Sequence, residues 1–412
     1  MEYGLIGEKL THSFSKEIHS RLGGYDYKLF ELKSDELGSF FGEKDFRGIN
    51  VTIPYKVSVL KYLDYIDDAA KVIGAVNTVI NREGKLYGYN TDAFGLFELI
   101  KKSGIDISDK KVLILGGGGT SRTAFYAAKQ LGAVEVYGVS RTKREGFITY
   151  GEAVSLHFDA EIIINTTPVG MYPDIENCPI DISAFRKLKA VFDVIYNPLK
   201  SRLLLEAESR GIYAAGGLYM LVMQACRSAE LFSGGKIDDI KAGEVYKRLL
   251  KEKKNIVLVG MPSAGKTEIG KMLSASLNMT FIDTDAEIEK ATGKTPAQII
   301  KCDGEAVFRK IESDTIRKFA VLNHSVLATG GGAVLNKENV LNLKANGRVY
   351  YIDRPLDLLI TSPDRPLSSS KEAIAELYEK RRHLYESAAD KTVRNDTDLK
   401  AVIEIIREDF LL

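Results

Sequence analysis

The chain twice sets a glycine-rich loop between an apolar run and an amphipathic stretch: LGGGGTSR at 115–122 and GMPSAGKT at 260–267. Such a loop turns a buried strand into a helix, and its backbone N–H groups, together with the helix N-terminus, form a cradle for phosphate. This strand–loop–helix placement calls for layered α/β architecture with mostly parallel sheets. The two loops differ in sequence and sit in separate series of apolar runs, so they point to two nucleotide-binding domains. A chain of 412 residues has room for two or three cores.

Composition narrows the class. Hydrophobic residues make up 45% and charged residues 27%, as in a soluble globular protein. The formal net charge of +1 gives no reason to expect a nucleic-acid partner. Cys178, Cys226 and Cys302 lie far apart without metal-ligand spacing, which reads as reduced thiols in a cytoplasmic protein. The start, MEYGLIGEKLTHS, lacks the basic and apolar regions of a signal peptide. No apolar stretch reaches the roughly 18 residues of a membrane span. Oligomeric state leaves no trace in the sequence.

Short apolar runs alternate with helical periodicity through most of the chain. EYGLIG (2–7), RGINVTIP (47–54) and AVNTVINREGKLYGYN (75–90) read as strands, the last folded at NREG, and 92–103 as a helix. These define a first domain over 1–104. KKVLILG (110–116), VEVYGVS (134–140), EIIINTTP (161–168) and AVFDVIY (190–196) read as the strands of a second α/β domain over 105–217. The helical stretch 218–234 is long enough to pack back on the first domain. The charged segment 236–254 reads as a helix end plus connector, and 255–412 as a third domain.

In that third domain, Gly260, Ser263, Ala264 and Gly265 would present the cradle. Lys266 would reach the β- and γ-phosphates of ATP, and Thr267 would hold Mg²⁺. FIDTDAEIE (281–289) places Asp283 and Asp285 two residues apart at a strand end, on one face if the strand continues. One would help hold Mg²⁺ while the other accepts the proton of an attacking hydroxyl. Arg309 on a helix, Arg365 in DRPL and Arg381 in RRHLY suit an anionic substrate or a transferring phosphoryl group. GMPSAGKT, FIDTD, FRKIE, TGGGAV, DRPL and RxxLY follow one another in this order, and the segment resembles shikimate kinase. The resemblance implies that Asp285, Arg309, Gly331 and Arg381 contact shikimate, the two arginines holding its carboxylate. It makes Asp283 the metal-side carboxylate, and Arg365 the lid arginine over the nucleotide. The chain departs from the family at His383, usually proline, and in the short lid TSPDRPLSSS.

The earlier loop only partly follows the dinucleotide fingerprint: Gly116 and Gly118 fit its first two glycines, and Ser121 replaces the third. The next strand ends in Ser140, Arg141 and Thr142 rather than an acidic residue. With Arg122 this gives two cations and two hydroxyls, which suit the 2′-phosphate of NADP. Lys56 and Asp92 form a candidate proton donor–acceptor pair for hydride chemistry at a carbinol carbon. HSFSKEIH, GINVTIPYK, IGAVNT, GYNTD, NTTPVGM, DVIYNP and GGLYMLVMQA are collinear over the first 225 residues and resemble shikimate dehydrogenase. That resemblance implies a substrate carboxylate on Ser13 and Ser15, and a pocket lined by Thr52, Asn77, Tyr196 and Gln224. It makes Lys56 and Asp92 the catalytic pair and places NADP on Gly118, Gly119, Ser121, Arg122, Ser140, Arg141 and Thr142. Met171 and Gly217 would lie near the nicotinamide. Lys16 stands where the family mostly has proline, and Thr120 where it has a smaller residue.

The expected architecture is therefore an α/β substrate domain and a Rossmann-like NADP domain, followed by a P-loop kinase domain with a parallel sheet, similar to nucleoside-monophosphate kinases. The expected activity is reduction of 3-dehydroshikimate to shikimate with NADPH, then phosphorylation of shikimate with ATP and Mg²⁺. The competing readings are a dehydrogenase that also takes quinate, and a catalytically silent metabolite sensor built on the same folds.

Overall fold

The computed structural model describes residues 2–10, 13–359, 370–396 and 398–411. The chain divides into two compact units, Met1–Leu249 and Leu250–Leu412.

The first unit opens with six strands: β1 (Tyr3–Gly7), β2 (Tyr27–Glu31), β3 (Gly48–Val51), β4 (Tyr65–Ile66), β5 (Thr78–Arg82) and β6 (Lys85–Tyr89). They form one sheet in the order β2-β1-β3-β5-β6-β4. β1 runs parallel to β2 and β3, whereas β5 is antiparallel to β3 and β6. The expected fold at NREG is a two-residue hairpin in which Glu83 and Gly84 both take positive φ, 53° and 80°. Asn81 Oδ1 accepts from Gly84 N at 2.9 Å and fixes that turn. RGINVTIP does not extend to residue 54 as a strand. β3 ends at Val51, and Ile53 is 71% exposed. Pro54 has no N–H to continue a ladder, so the chain turns there and places Lys56 beyond the C-terminal end of β3.

A second sheet follows, built from β7 (Lys111–Leu115), β8 (Glu135–Ser140), β9 (Phe147–Thr149), β10 (Ile162–Asn165), β11 (Ala190–Asp193) and β12 (Tyr213–Ala215). Its order is β12-β11-β10-β7-β8-β9, and every pairing is parallel. Val112, Leu113, Ile114, Ile162, Ile163, Ile164, Val191 and Phe192 are fully buried, because helices cover both faces. Each such side chain contributes about 1.5–3 kcal/mol of burial. The strand order reverses between β7 and β10, which opens a crevice at their C-terminal ends. The helix Leu218–Ser233 returns to lie along the helix Thr91–Ser103 of the first lobe, where Met220 joins Leu96 and Leu99 in one apolar cluster. Gly95 permits the approach: a Cβ there would collide with the Met220 carbonyl oxygen. Residues 236–254, expected as a helix end plus connector, are mostly one helix, Asp239–Lys253.

The second unit contains β13 (Asn255–Val259), β14 (Thr280–Asp283), β15 (Ser325–Ala328), β16 (Gly347–Asp353) and β17 (Lys391–Arg394). All pair in parallel, in the order β14-β15-β13-β16-β17. The strand that leads into GMPSAGKT is thus central. The helix Leu399–Leu411 is pinned to the far side by Asp409, which accepts from Arg348 Nη2 at 3.0 Å, Tyr350 Oη at 2.8 Å and Lys391 Nζ at 3.2 Å.

Candidate active sites

Lys56 follows the turn after β3, and Asp92 lies in the first turn of the Thr91–Ser103 helix. Asn90 caps that helix by accepting from Ala93 N, which fixes where Asp92 projects. The two side chains meet: Lys56 Nζ donates to Asp92 Oδ2 at 2.6 Å. Asn77 Nδ2 donates to the other carboxylate oxygen at 2.9 Å. Lys56 and Asp92 retain 15% and 10% side-chain exposure, so the pair borders solvent instead of being sealed in a core. Behind it, Thr78, Thr91, Asn50 and Ser228 form a buried hydroxyl–amide network, with Ser228 Oγ at 2.9 Å from both Asn50 Nδ2 and Thr78 Oγ1. Gln224 joins this wall, its Oε1 accepting from Asn77 Nδ2 at 3.4 Å. The network was not legible as a site, because amide and hydroxyl residues scattered over 178 positions carry no spacing signal.

Ser13 and Ser15 stand at the N-terminus of the helix Ser15–Leu22, where backbone N–H groups and the helix dipole favour an anion. Ser15 N donates to Ser13 Oγ at 3.2 Å. Between them, the Phe14 ring lies 5.1 Å from that of Tyr196, which brings the β11 loop to this helix end. Burial pushes the Tyr196 hydroxyl above its ordinary range, so it stays a protonated donor. Thr52 N is tied to Ile6 O at 3.0 Å, directly after β3.

The loop after β7 begins the helix Gly119–Gln130, with Gly118 as its N-cap. No atom lies within 4 Å of a Cβ placed on Gly118, so this face of the loop is open for a phosphate. Ser121, in place of the third glycine, donates to Gly116 O at 2.8 Å and closes the loop on itself. A Cβ on Gly119 would meet Lys56 first, at 3.8 Å, so the loop reaches the Lys56–Asp92 pair. Arg122 is shared between lobes: its Nη1 donates to Gly74 O at 3.2 Å. Ser140 donates to Thr142 O, and Arg141 and Thr142 are exposed at the end of β8. Met171 is 44% exposed on the loop after β10, and Gly217 is the N-cap of the helix Leu218–Ser233. The sequence reading missed Arg144. Its guanidinium lies 3.7 Å from the Phe147 ring centroid and covers Gly117, lining a cleft of about 520 Å³ with Arg122 and Ser121. Its signal was its position two residues beyond the SRT run.

In the second unit, a cleft of about 580 Å³ is lined by the phosphate loop together with Asp283, Asp285, Arg309, Glu312 and Arg381. Gly260 and Gly265 take φ of 149° and 93°, and Ser263 and Ala264 lie between them. Lys266 Nζ donates to the loop carbonyls of Gly260 and Met261 at 2.9 and 2.8 Å. Thr267 Oγ1 donates to Asp283 Oδ2 at 2.8 Å, a pairing of hard oxygen donors that fits Mg²⁺ beside phosphate. Asp283 and Asp285 do not share the face of one strand. β14 ends at Asp283, which caps the helix Thr284–Thr292 through Asp285 N and Ala286 N, and Asp285 sits in its first turn. The cap carries both carboxylates into the cleft by another route.

The run Gly330–Gly332 meets a different charged group at each position. A Cβ on Gly330 would lie 2.6 Å from Asp285 Oδ1 and 3.0 Å from Glu312 Oε1. Gly331 O accepts from Arg381 Nη1 at 3.1 Å and from the Tyr385 hydroxyl. Gly332 lies against the Arg309 guanidinium. Glu312 was also missed; it is 1% exposed and accepts from Arg309 Nη1 at 2.9 Å. Its signal was the three-residue spacing from Arg309 on one helix. Burial pushes the Glu312 carboxyl up, with Asp285 reinforcing and Arg309 and Arg381 opposing. Asn395, past β17, donates to Ala264 O at 2.8 Å and flanks the loop on the opposite side. Arg365 lies outside the described residues, as does most of TSPDRPLSSS.

Known proteins divide along the same line. The model of the shikimate dehydrogenase substrate binding domain matches residues 5–79, and that of shikimate kinase matches residues 262–410. The shikimate dehydrogenase (NADP(+)) of Clostridium perfringens is 37% identical over 265 residues, covering 60% of this chain and 97% of the relative. Shikimate dehydrogenase 1 from Peptoclostridium difficile superposes with a TM-score of 0.56 and 39% identity, over 60% of this chain and 97% of its own. The shikimate 5-dehydrogenase of Thermus thermophilus, solved in complex with NADP(H) and shikimate, gives 0.55 and 30% identity, over 60% and 99%. The chain belongs to the shikimate dehydrogenase family and carries a shikimate kinase domain after it.

Proposed function

We propose that this bifunctional shikimate-pathway enzyme catalyses two consecutive steps. The first unit reduces 3-dehydroshikimate to shikimate, reversibly, with NADPH. The second phosphorylates shikimate to shikimate 3-phosphate with ATP and Mg²⁺. The observation that carries the reading is that each unit holds its own reacting groups. Lys56 and Asp92 are 2.6 Å apart beside the loop of the first unit, while Asp285, Arg309 and Arg381 line one cleft with the loop of the second.

When bound, NADPH supplies hydride to the carbonyl carbon, and Mg²⁺ supplies positive charge to the phosphate oxygens. Lys56 gives its proton to the carbonyl oxygen as that oxygen becomes a hydroxyl, and Asp92 holds and recharges the lysine. Asn77 keeps the aspartate aimed. Ser13, Ser15 and the helix N-terminus behind them take the substrate carboxylate, and Tyr196, Thr52 and Gln224 close the ring site. Arg122, Arg141 and Arg144 attract the 2′-phosphate. In the second unit, Asp285 accepts the proton of the same hydroxyl, now the nucleophile. Arg309 and Arg381 hold the carboxylate, and Lys266 and Arg365 stabilise the charge on the transferring group. Asp285 and Gly331 follow β14 and β15 on one side of β13, and Arg381 comes in from the helix Lys371–Ala388 on the other. Arg354 and Asn395, which follow β16 and β17, flank Gly265 and stand beside the nucleoside.

The three cysteines are unpaired thiols, in keeping with a cytoplasmic protein. Among the described residues no helix is long and apolar enough to cross a membrane. The test is a single incubation with 3-dehydroshikimate, NADPH, ATP and Mg²⁺, its products identified by mass spectrometry. Shikimate 3-phosphate is expected. Turnover of quinate in place of shikimate would widen the substrate range. Unchanged 3-dehydroshikimate, with supplied shikimate also unphosphorylated, would leave the silent sensor as the better account.

A further inference from the structure

Asp193 ends β11 with no exposed surface and forms no ion pair among the described residues. Its Oδ1 accepts from Asn165 Nδ2 and Ile195 N, both at 3.0 Å, and its Oδ2 accepts from Ser201 Oγ at 2.6 Å. Burial pushes its carboxyl up to about 6, against the pull of these three donors. A buried carboxylate without a cation is costly, and an apolar side chain would fill the same space more cheaply. None of the reacting groups touches it.

Two of the donors, Ile195 and Ser201, lie on the loop after β11, and the third, Asn165, ends β10; both segments carry residues proposed for the reductase site. Asn165 ends β10, and its Oδ1 accepts from Thr167 N at 3.0 Å and Thr167 Oγ1 at 2.8 Å, which shapes the turn towards Met171. Ile195 precedes Tyr196, and its carbonyl accepts from Gly217 N at 2.8 Å. Ser201 caps the helix Arg202–Ser209. The loops after β10 and β11 are also tied to each other, Tyr172 N donating to Asn197 O at 3.0 Å. One carboxylate therefore joins the stretches that carry Met171, Tyr196 and Gly217.

We propose that Asp193 is a positioning residue of the reductase: through Asn165, Ile195 and Ser201 it sets the loops that hold the nicotinamide end of the cofactor and the substrate ring. This rests on the reductase reading above. Asp193 touches neither ligand. Its influence is confined to where Met171, Tyr196 and Gly217 stand, so its loss weakens binding while Lys56 and Asp92 remain in place.

Asp193→Asn keeps the shape but replaces one acceptor with an N–H donor, which meets the Ser201 hydroxyl and forces that hydrogen bond to reverse. Ser201→Ala removes one donor and carries the test if the first variant does not fold. In the full chain, reductase kinetics are measured with NADPH and 3-dehydroshikimate each varied, and the circular dichroism and unfolding midpoint of the same sample, set against those of the wild type, serve as the folding reference. The expected result is a rise in both KM values, about tenfold for Asp193→Asn and about threefold for Ser201→Ala, with kcat changed less than about threefold. A fall in kcat alone, or unchanged kinetics in a folded variant with active wild type, overturns the inference. A wild-type chain without NADPH-dependent reduction overturns the reductase reading itself, and the inference falls with it.

Discussion

Lys56 Nζ lies 2.6 Å from Asp92 Oδ2, and the carboxylate is held from its other side by Asn77. The lysine is thus oriented by a group that is itself oriented. Lys56→Met is expected to lower the reductase kcat by about 10²–10⁴. Asn77→Ala releases Asp92 and leaves Thr91 N without its side-chain acceptor, but it removes no proton-transfer group and should cost less in kcat. Both should leave shikimate phosphorylation unchanged, measured by coupled ADP release. Loss of both activities in folded protein would show that the units depend on one another.

Lys266 and Thr267 lie on the phosphate loop of the second unit, the latter 2.8 Å from Asp283. Lys266→Ala should abolish phosphorylation and spare reduction. Thr267→Ala should weaken the response to Mg²⁺, read as a higher concentration for half-maximal kinase rate. An unaltered Mg²⁺ titration would remove Thr267 from the metal.

Glu312 accepts from Arg309 at 2.9 Å while facing Gly330 beside Asp285. Glu312→Gln keeps the shape and removes the charge that holds the arginine. The KM for shikimate is expected to rise roughly tenfold, that for ATP much less. Equal effects on both would argue that the change disturbs the whole cleft.

Arg144 covers Gly117 next to Arg122. If it attracts a 2′-phosphate, Arg144→Ala should raise the KM for NADPH about tenfold and leave that for NADH nearly unchanged. Comparison of the two cofactors in steady-state reduction decides it.

His19 is buried against Tyr27, ring centroids 4.1 Å apart, and burial lowers its pKa to about 3, the Asn50 side chain opposing. The unfolded chain binds this proton near the ordinary value of about 6.5. The stability His19 contributes is therefore complete above that value. It is lost as pH falls towards 3, by at most about 1.4 kcal/mol per pH unit. His19→Phe should flatten the acid side of the denaturation midpoint, followed through loss of reductase activity. Asp193 acts with the opposite sign between about 4 and 6, equally in both proteins, so the comparison isolates His19.

The parallel strands were legible because buried strands such as KVLIL and NIVLV are continuous apolar runs, and the glycine loops mark where they end. The weaker strand β2, YKLFE, was not, since it buries only one of its five residues fully. Charged and motif-borne groups such as Lys56, Asp92 and Lys266 could be named from their residue types. Their partners could not, because Asn50, Ser228 and Asn395 acquire meaning only through contacts that span the fold. Asp285 shows a third case: the residue was found, but alternation along a strand was assumed where a helix cap places it.

The central position of β13 has a consequence for how such a domain changes over time. Asp285 and Gly331 follow β14 and β15 on one flank, whereas Arg381 lies on the helix Lys371–Ala388, between β16 and β17 on the other, so the proposed acceptor site draws on both flanks with the phosphate loop between them. A lineage built on this sheet that exchanges its acceptor must therefore alter both flanks, while the loop at the centre can stay as it is.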